Sequence, residues 1–248
     1  RVDNMIENVR SAAAAGIAHG AGGLLVTDWG DMGHLQQPPV SDPGFATTAA
    51  FGWCVEAHAG LDADSLGALL DVHCYDDRAG ETGRVVVDLG QACRMVAPEP
   101  PNMSALALPL LLPQWAVGTA LTEGLTTADL LAVESMLDRC TTALGRARPQ
   151  RGDAPVVIRE LEATSALLAL ACHDARLRLA GDGTLASVAG ADRDALAADL
   201  SGCISEHQRL WLERFRPGGL SDSTAWLEHL LACYRTGVTE RSWFGPAG

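Results

Sequence analysis

Over the first twenty residues the apolar side chains recur at helical spacing. Met5, Val9, Ala13 and Ile17 fall on one face, Ala fills many positions between them, and Gly20 and Gly22 supply a stop. This spacing predicts a helix over residues 3–21. The pattern then changes. Gly23-Leu24-Leu25-Val26-Thr27 is a short unbroken apolar run ending in polar residues, which predicts a strand covered on both faces, as in a parallel sheet. Residues 28–34 gather charge, one aromatic ring and two glycines into a loop. Gln36-Gln37-Pro38-Pro39 keeps the chain extended, and Asp42-Pro43 opens a second helix through Phe45, Ala49, Ala50 and Trp53. Helix, strand, loop, helix is the rhythm of an α/β barrel or a doubly wound sheet.

Beyond His58 the pattern is helical. Leu61 to Asp64 opens a helix, and the spacing predicts segments at about 62–76, 81–96, 102–119, 126–147, 154–181, 191–216 and 221–236. Arg84-Val85-Val86-Val87 is the only strand-like run in this part. Thr126 to Asp129 reads as an N-cap with an acidic first turn, and Gly80, Gly124, Gly152, Gly181 to Gly183 and Pro217 to Gly219 punctuate the elements. The expected organisation is therefore an α/β segment over residues 1–60 and an α-helical domain over residues 61–248.

One strand cannot make a sheet, because the backbone N–H and C=O groups of residues 23–27 need neighbours on both edges. The chain also opens on Arg1 and runs directly into a helical pattern. Both features lead us to expect a C-terminal portion whose missing strands lie upstream.

Hydrophobic residues make up 48 %, enough for a buried core and too many for wholesale disorder. The net charge is −13, and all 18 positive side chains are Arg. Such a surface repels phosphate backbones and anionic lipid, so neither nucleic acid nor membrane is an expected partner. The longest apolar stretch, Ser104 to Gly118, is interrupted by Pro109 and Pro113 and falls short of the roughly 18–20 residues that cross a bilayer. No signal peptide is recognisable, and a cytoplasmic location is expected. The seven Cys residues are widely spaced and form no CxxC pair, which reads as buried small hydrophobes in a reducing compartment.

In α/β proteins ligand-binding residues collect at the C-terminal ends of parallel strands, the position held here by Thr27 to His34. Its residue types suit a saccharide. Trp29 offers a flat apolar face to the C–H side of a pyranose, while Asp28 and Asp31 accept bonds from hydroxyls. Gly30 and Gly33 let the backbone turn sharply near a ligand. Two other readings stay open at this point: a structural corner, with Trp29 packed and Asp31 capping, or a divalent-metal site on Asp28, Asp31 and His34. Elsewhere, His207 and Trp211 share a helix face suited to packing, and Glu160 and Glu162 with Arg159 read as a solvated face. His173 and Asp174 follow Cys172, but helix neighbours point about 100° apart and do not form a nucleophile–base pair.

Gly23 to Asp31, followed by Ala49, Ala50 and Trp53, resembles the eighth barrel strand and closing helix of glycoside hydrolase family 20, where a Trp-Gly-Glu motif follows an apolar strand. Thr27-Asp28-Trp29-Gly30-Asp31-Met32-Gly33-His34 is similar to a bacterial β-N-acetylhexosaminidase-like branch. Glu206 to Leu212 and Arg216 to Leu220 resemble the tail of that branch.

The resemblance implies the last β/α units of a truncated (β/α)8 barrel followed by a C-terminal helical domain, mainly α in total. It implies that Trp29 lines the pocket of a terminal sugar and that Asp31 stands where the family has a Glu that bonds hydroxyls. Asp28 and His34 belong to the branch pattern. The family's chemistry is substrate-assisted, with the 2-acetamido oxygen as nucleophile and an adjacent Asp-Glu pair orienting it and protonating the leaving group. That pair is expected upstream of Arg1, so no residue of this chain is expected as the catalytic acid, and Glu56, Glu81 and Glu99 read as solvated. No cofactor and no resident metal are implied. The expected partner is an oligosaccharide or glycoside, and the helical domain is expected to buttress the barrel or form a homodimer contact. The rival expectation is a non-enzymatic helical interaction protein, or one that binds sugar without cleaving it.

Overall fold

Helix caps and stops in the computed structural model, which describes residues 1–101 and 103–239, fall close to where the local sequence signals put them. The first helix, α1, spans Val2–Ala18, and α2 spans Asp42–Trp53 with Pro43 in its first turn. α3 spans Ala63–Leu70 and opens on a capping box: the Asp62 carboxylate accepts from the Ser65 N–H, and the Ser65 hydroxyl bonds back to the Asp62 N–H. A π-type turn, Asp71–Tyr75, prolongs it and ends at Asp76 in a left-handed conformation. Then follow α4 (Thr82–Gln91), the single-turn α5 (Leu108–Leu111), α6 (Thr127–Arg146), α7 (Ala154–Leu179), α8 (Gly190–Arg214) and α9 (Leu220–Thr236). The expected N-cap of α6 forms a reciprocal box between Thr126 and Asp129. The protein is mainly α, and no helix among the described residues is long and apolar enough to cross a membrane.

Two expectations are corrected. The strand at 23–27 does not form: residues 23–30 are irregular, and no backbone hydrogen bond reaches residues 22–30 among the described residues. The run lacks the neighbouring strands that would satisfy it, so Leu25 is 87 % exposed instead of buried. The helix expected over 102–119 breaks into pieces, its first residue, Asn102, lying outside the described residues. Ser104 caps a short 3-10 turn at Ala105–Ala107, α5 follows, and Leu112 leaves helical geometry ahead of Pro113. The residue before a proline is driven out of the α region, and Pro cannot donate to a helix ladder. By contrast, the strand-like run Arg84 to Val87 lies within α4, where it buries Val85, Val86 and Val87.

The chain divides into two compact units, each discontinuous in sequence. The first comprises residues 1–30, 36–94 and 136–165, and the boundary expected near residue 60 falls inside it. Here α1 packs on α2 and α3 on α4. The α3–α4 crossing is tight because glycines meet there: a Cβ on Gly83 would stand 2.2 Å from the Gly67 carbonyl oxygen. Asp77 caps the start of α4 from the preceding loop. Its Oδ1 accepts the N–H groups of Ala79 and Arg148, and its Oδ2 those of Glu81 and Thr82 and the Thr82 hydroxyl. Arg151 donates to the Cys74 carbonyl and lies over the Tyr75 ring, whose hydroxyl donates to Asp42. Glu160, read from the sequence as solvated, is instead fully buried. It stands three residues after Val157 and shares that residue's inward face. Glu162 remains exposed.

The second unit comprises residues 31–35, 95–135 and 166 onward. α8 and α9 form an antiparallel hairpin around Leu196, Leu200, Ile204, Leu227 and Leu230, with Leu170 of α7 and Leu110 of α5 in the same cluster. A fully buried ionic network lies in this unit. Arg178 makes two parallel hydrogen bonds of 2.7 Å to Asp174 and a third of 2.9 Å to the Pro113 carbonyl, and the Tyr234 hydroxyl donates to Asp174 at 3.0 Å. All seven cysteines are free thiols, with Cys140, Cys172 and Cys233 buried.

Candidate functional site

Asp28 and Trp29 belong to the first unit. Asp28 is held by donors from the chain that follows it: Ser41 Oγ at 2.6 Å and Gln36 Nε2 at 3.1 Å. Trp29 donates its indole N–H to Thr27 Oγ1 at 2.9 Å, and the side chain is 72 % exposed. The indole is thus tied at its polar edge, with much of its apolar surface toward solvent. Exposed tryptophan faces are uncommon and mark ligand or partner surfaces more often than an exposed leucine does. A dry structural corner is not what the residue makes.

Asp31 and His34 belong to the second unit, within the short piece 31–35. Met32, Gly33 and His34 have φ of 53°, 83° and 54°, three successive residues in the left-handed region. That conformation costs roughly 1–2 kcal/mol for each non-glycine residue, so neighbouring structure must hold it. The hairpin α8–α9 supplies the hold. A Cβ on Gly33 would meet Trp226 Cδ1 at 2.6 Å and the Ser223 backbone at 3.0 Å, so the turn lies directly on α9. The His34 ring stands edge-on to Phe215 at 6.4 Å, and Leu35 packs against the helical core. The Asp31 carboxylate is exposed and has no hydrogen-bond partner among the described residues.

Sequence reasoning singled out His207 and Trp211 as a packing face, and their rings do pack, at 6.0 Å. It missed Phe215, Ser223 and Trp226 as neighbours of the loop. The available signal was the second pair of motif segments, Glu206 to Leu212 and Arg216 to Leu220, which flank Phe215 and belong with 31–35 to one unit. His207 Nε2 lies 2.8 Å from Ser223 Oγ, a distance compatible with a nucleophile–base pair. Ser223 is only 1 % exposed, however, so no substrate reaches it, and the pair serves to lock α8 to α9.

Burial, reinforced by the nearby His34 ring, lowers the proton affinity of His207 below the ordinary imidazole value of 6.5. The unfolded chain therefore binds this proton at a higher pH than the folded chain does. Its contribution to stability is complete above about pH 6.5 and is lost progressively as the pH falls below that value. Urea unfolding midpoints are expected to drop between pH 7.5 and pH 5, and the drop is expected to shrink in His207→Gln.

The first unit also holds a cavity of about 560 Å³ lined by Asp64, Asp71, Arg84 and Asp88, among others. Burial raises the proton affinity of Asp71, helped by the charges of Asp77 and Glu81, and burial likewise raises that of Asp88. Asp77 goes the other way: burial alone would raise it, but the Thr82 hydroxyl and the backbone N–H donors together hold it below the usual range. Among the described residues, no group of three or more His, Cys, Asp or Glu side chains is placed to hold a metal ion. Asp28, Asp31 and His34 are thus not gathered into such a cluster.

Compared with known proteins, the chain matches no family model, no curated protein and no solved structure.

Proposed function

We propose that this chain is the C-terminal portion of an exo-acting glycosidase of the β-N-acetylhexosaminidase type, contributing part of the pocket for the terminal sugar. The observation that carries the reading is the Trp29 side chain, tethered through its N–H and 72 % exposed. An apolar ring face beside a polar edge is what stacks on the C–H face of a pyranose. Asp31, exposed and without a hydrogen-bond partner among the described residues, is available to accept hydrogen bonds from sugar hydroxyls. The backbone of residues 22–30, without a backbone hydrogen bond among the described residues, and the exposed Leu24 and Leu25 fit a segment that completes a barrel sheet with upstream strands. In this reading the Asp-Glu pair that orients the 2-acetamido group and protonates the leaving oxygen lies upstream, and this chain supplies binding and orientation only.

The test is Trp29→Ala in the protein carrying this chain together with its upstream segment, assayed on chromogenic N-acetylglucosaminides. KM is expected to rise and kcat/KM to fall, by the equivalent of on the order of 1 to 3 kcal/mol for one lost aromatic platform. Unchanged kinetics would remove Trp29 from the pocket. Saccharide binding without any turnover would favour a protein that binds sugar without cutting it.

A further inference from the structure

We propose that the α8–α9 hairpin is the positioning element of the Asp31–Leu35 turn, with Trp226 and Phe215 as the positioning residues. The contacts close into a ring. His34 stands edge-on to Phe215, Phe215 tilts against Trp211 at 5.1 Å, and Trp211 contacts His207. His207 bonds Ser223, and Ser223 lies under Gly33, the neighbour of His34. Trp211 also donates its indole N–H to the Arg216 carbonyl at 2.9 Å, which fixes the connector between the two helices.

Three successive left-handed residues would not persist in an isolated loop, because two of them carry a Cβ. The ring explains why they persist here. At Gly33 a side chain would collide with α9, and there is none. His34 and Leu35 face inward, while Asp31 faces solvent with its carboxylate unpartnered among the described residues. A turn anchored on one side and presenting a polar group on the other is pre-organised for a ligand. As far as that ligand is a saccharide, the inference rests on the reading above.

The experiment compares the protein carrying this chain and its upstream segment with its Trp226→Ala, Trp226→Phe and Phe215→Ala variants. Two quantities are read: amide hydrogen exchange of residues 31–35, and binding of N-acetylglucosamine by NMR titration. Trp226→Ala is expected to speed exchange in the turn about tenfold while α8 stays protected, and to weaken sugar binding several-fold; Trp226→Phe is expected to keep both near wild type. Phe215→Ala removes the second anchor, the edge-on partner of His34, while Trp226 stays in place, and decides the matter should Trp226→Ala unfold. Unchanged exchange in both Ala variants would overturn the positioning role. So would faster exchange with undiminished sugar affinity. If exchange rises but the unmodified protein, carried with its upstream segment, binds no sugar, the anchoring stands and the saccharide reading alone fails.

Discussion

Asp174→Ala is expected to destabilise the second unit by about 3–5 kcal/mol, the typical cost of removing one partner from a buried ion pair. Asp174 and Arg178 are both 0 % exposed, and two hydrogen bonds join them. Without the carboxylate, a guanidinium remains in the interior with the Pro113 carbonyl as its one remaining acceptor among the described residues, and the Tyr234 hydroxyl loses the oxygen it donates to. Burial, with the Asp174 charge beside it, already pushes the Tyr234 phenol well above its ordinary range, so that hydroxyl stays a neutral donor in need of an acceptor. Each polar group left unpaired costs about 1–3 kcal/mol of desolvation. Against a total stability of about 5–15 kcal/mol for an ordinary domain, the change approaches unfolding.

Two controls make this result specific. Tyr234→Phe removes one hydrogen bond and leaves the ion pair, and a loss of only about 1 kcal/mol is expected. The double variant Asp174→Leu with Arg178→Met removes both charges. It is expected to be less destabilised than Asp174→Ala, because no uncompensated charge stays inside. Urea unfolding of the four proteins reads the order directly. An Asp174→Ala midpoint equal to that of Tyr234→Phe would show that the buried charge is solvated in a way the packing does not suggest.

This network also shows what the sequence could and could not disclose. An Asp and an Arg four apart on a helix, 174 and 178, usually form an exposed pair. Here it is buried, and its further partners, Pro113 and Tyr234, lie far away in the sequence. Helix ends were legible because their signals are local: Asp62 with Ser65 and Thr126 with Asp129 are capping boxes that need no tertiary partner. The apolar run Leu24-Leu25-Val26 was read as a strand, since such a pattern reports a demand for burial but not what meets it. Among the described residues no neighbouring strand meets it. The candidate loop divides the same way. The residue types at Trp29 and Asp31 already suggested a surface for hydroxylated ligands, whereas the anchoring of Gly33 and His34 depends on residues some 180 positions later.

Gly83→Ala is expected to lose about 3 kcal/mol, although the same change in an open helix stabilises by about 0.5–1 kcal/mol. The helix-propensity gain is present at Gly83, which lies in the first turn of α4. Packing outweighs it. The added methyl would sit 2.2 Å from the Gly67 carbonyl oxygen and 2.9 Å from the Asp71 nitrogen, both backbone atoms that no rotamer change can move aside. Relief requires α3 and α4 to separate, and separation lengthens the 2.6 Å bond from the Gly83 N–H to Asp71 Oδ1. Asp71 is only 5 % exposed, so weakening a donor to its carboxylate adds to the overpacking cost. Gly202→Ala is the matched control, because its Cβ position in α8 meets no atom within 4 Å beyond the backbone of its own helix among the described residues. The two substitutions are expected to shift the thermal midpoint in opposite directions. A Gly83→Ala midpoint at or above that of the unmodified chain would mean that α3 and α4 do not cross on these glycines.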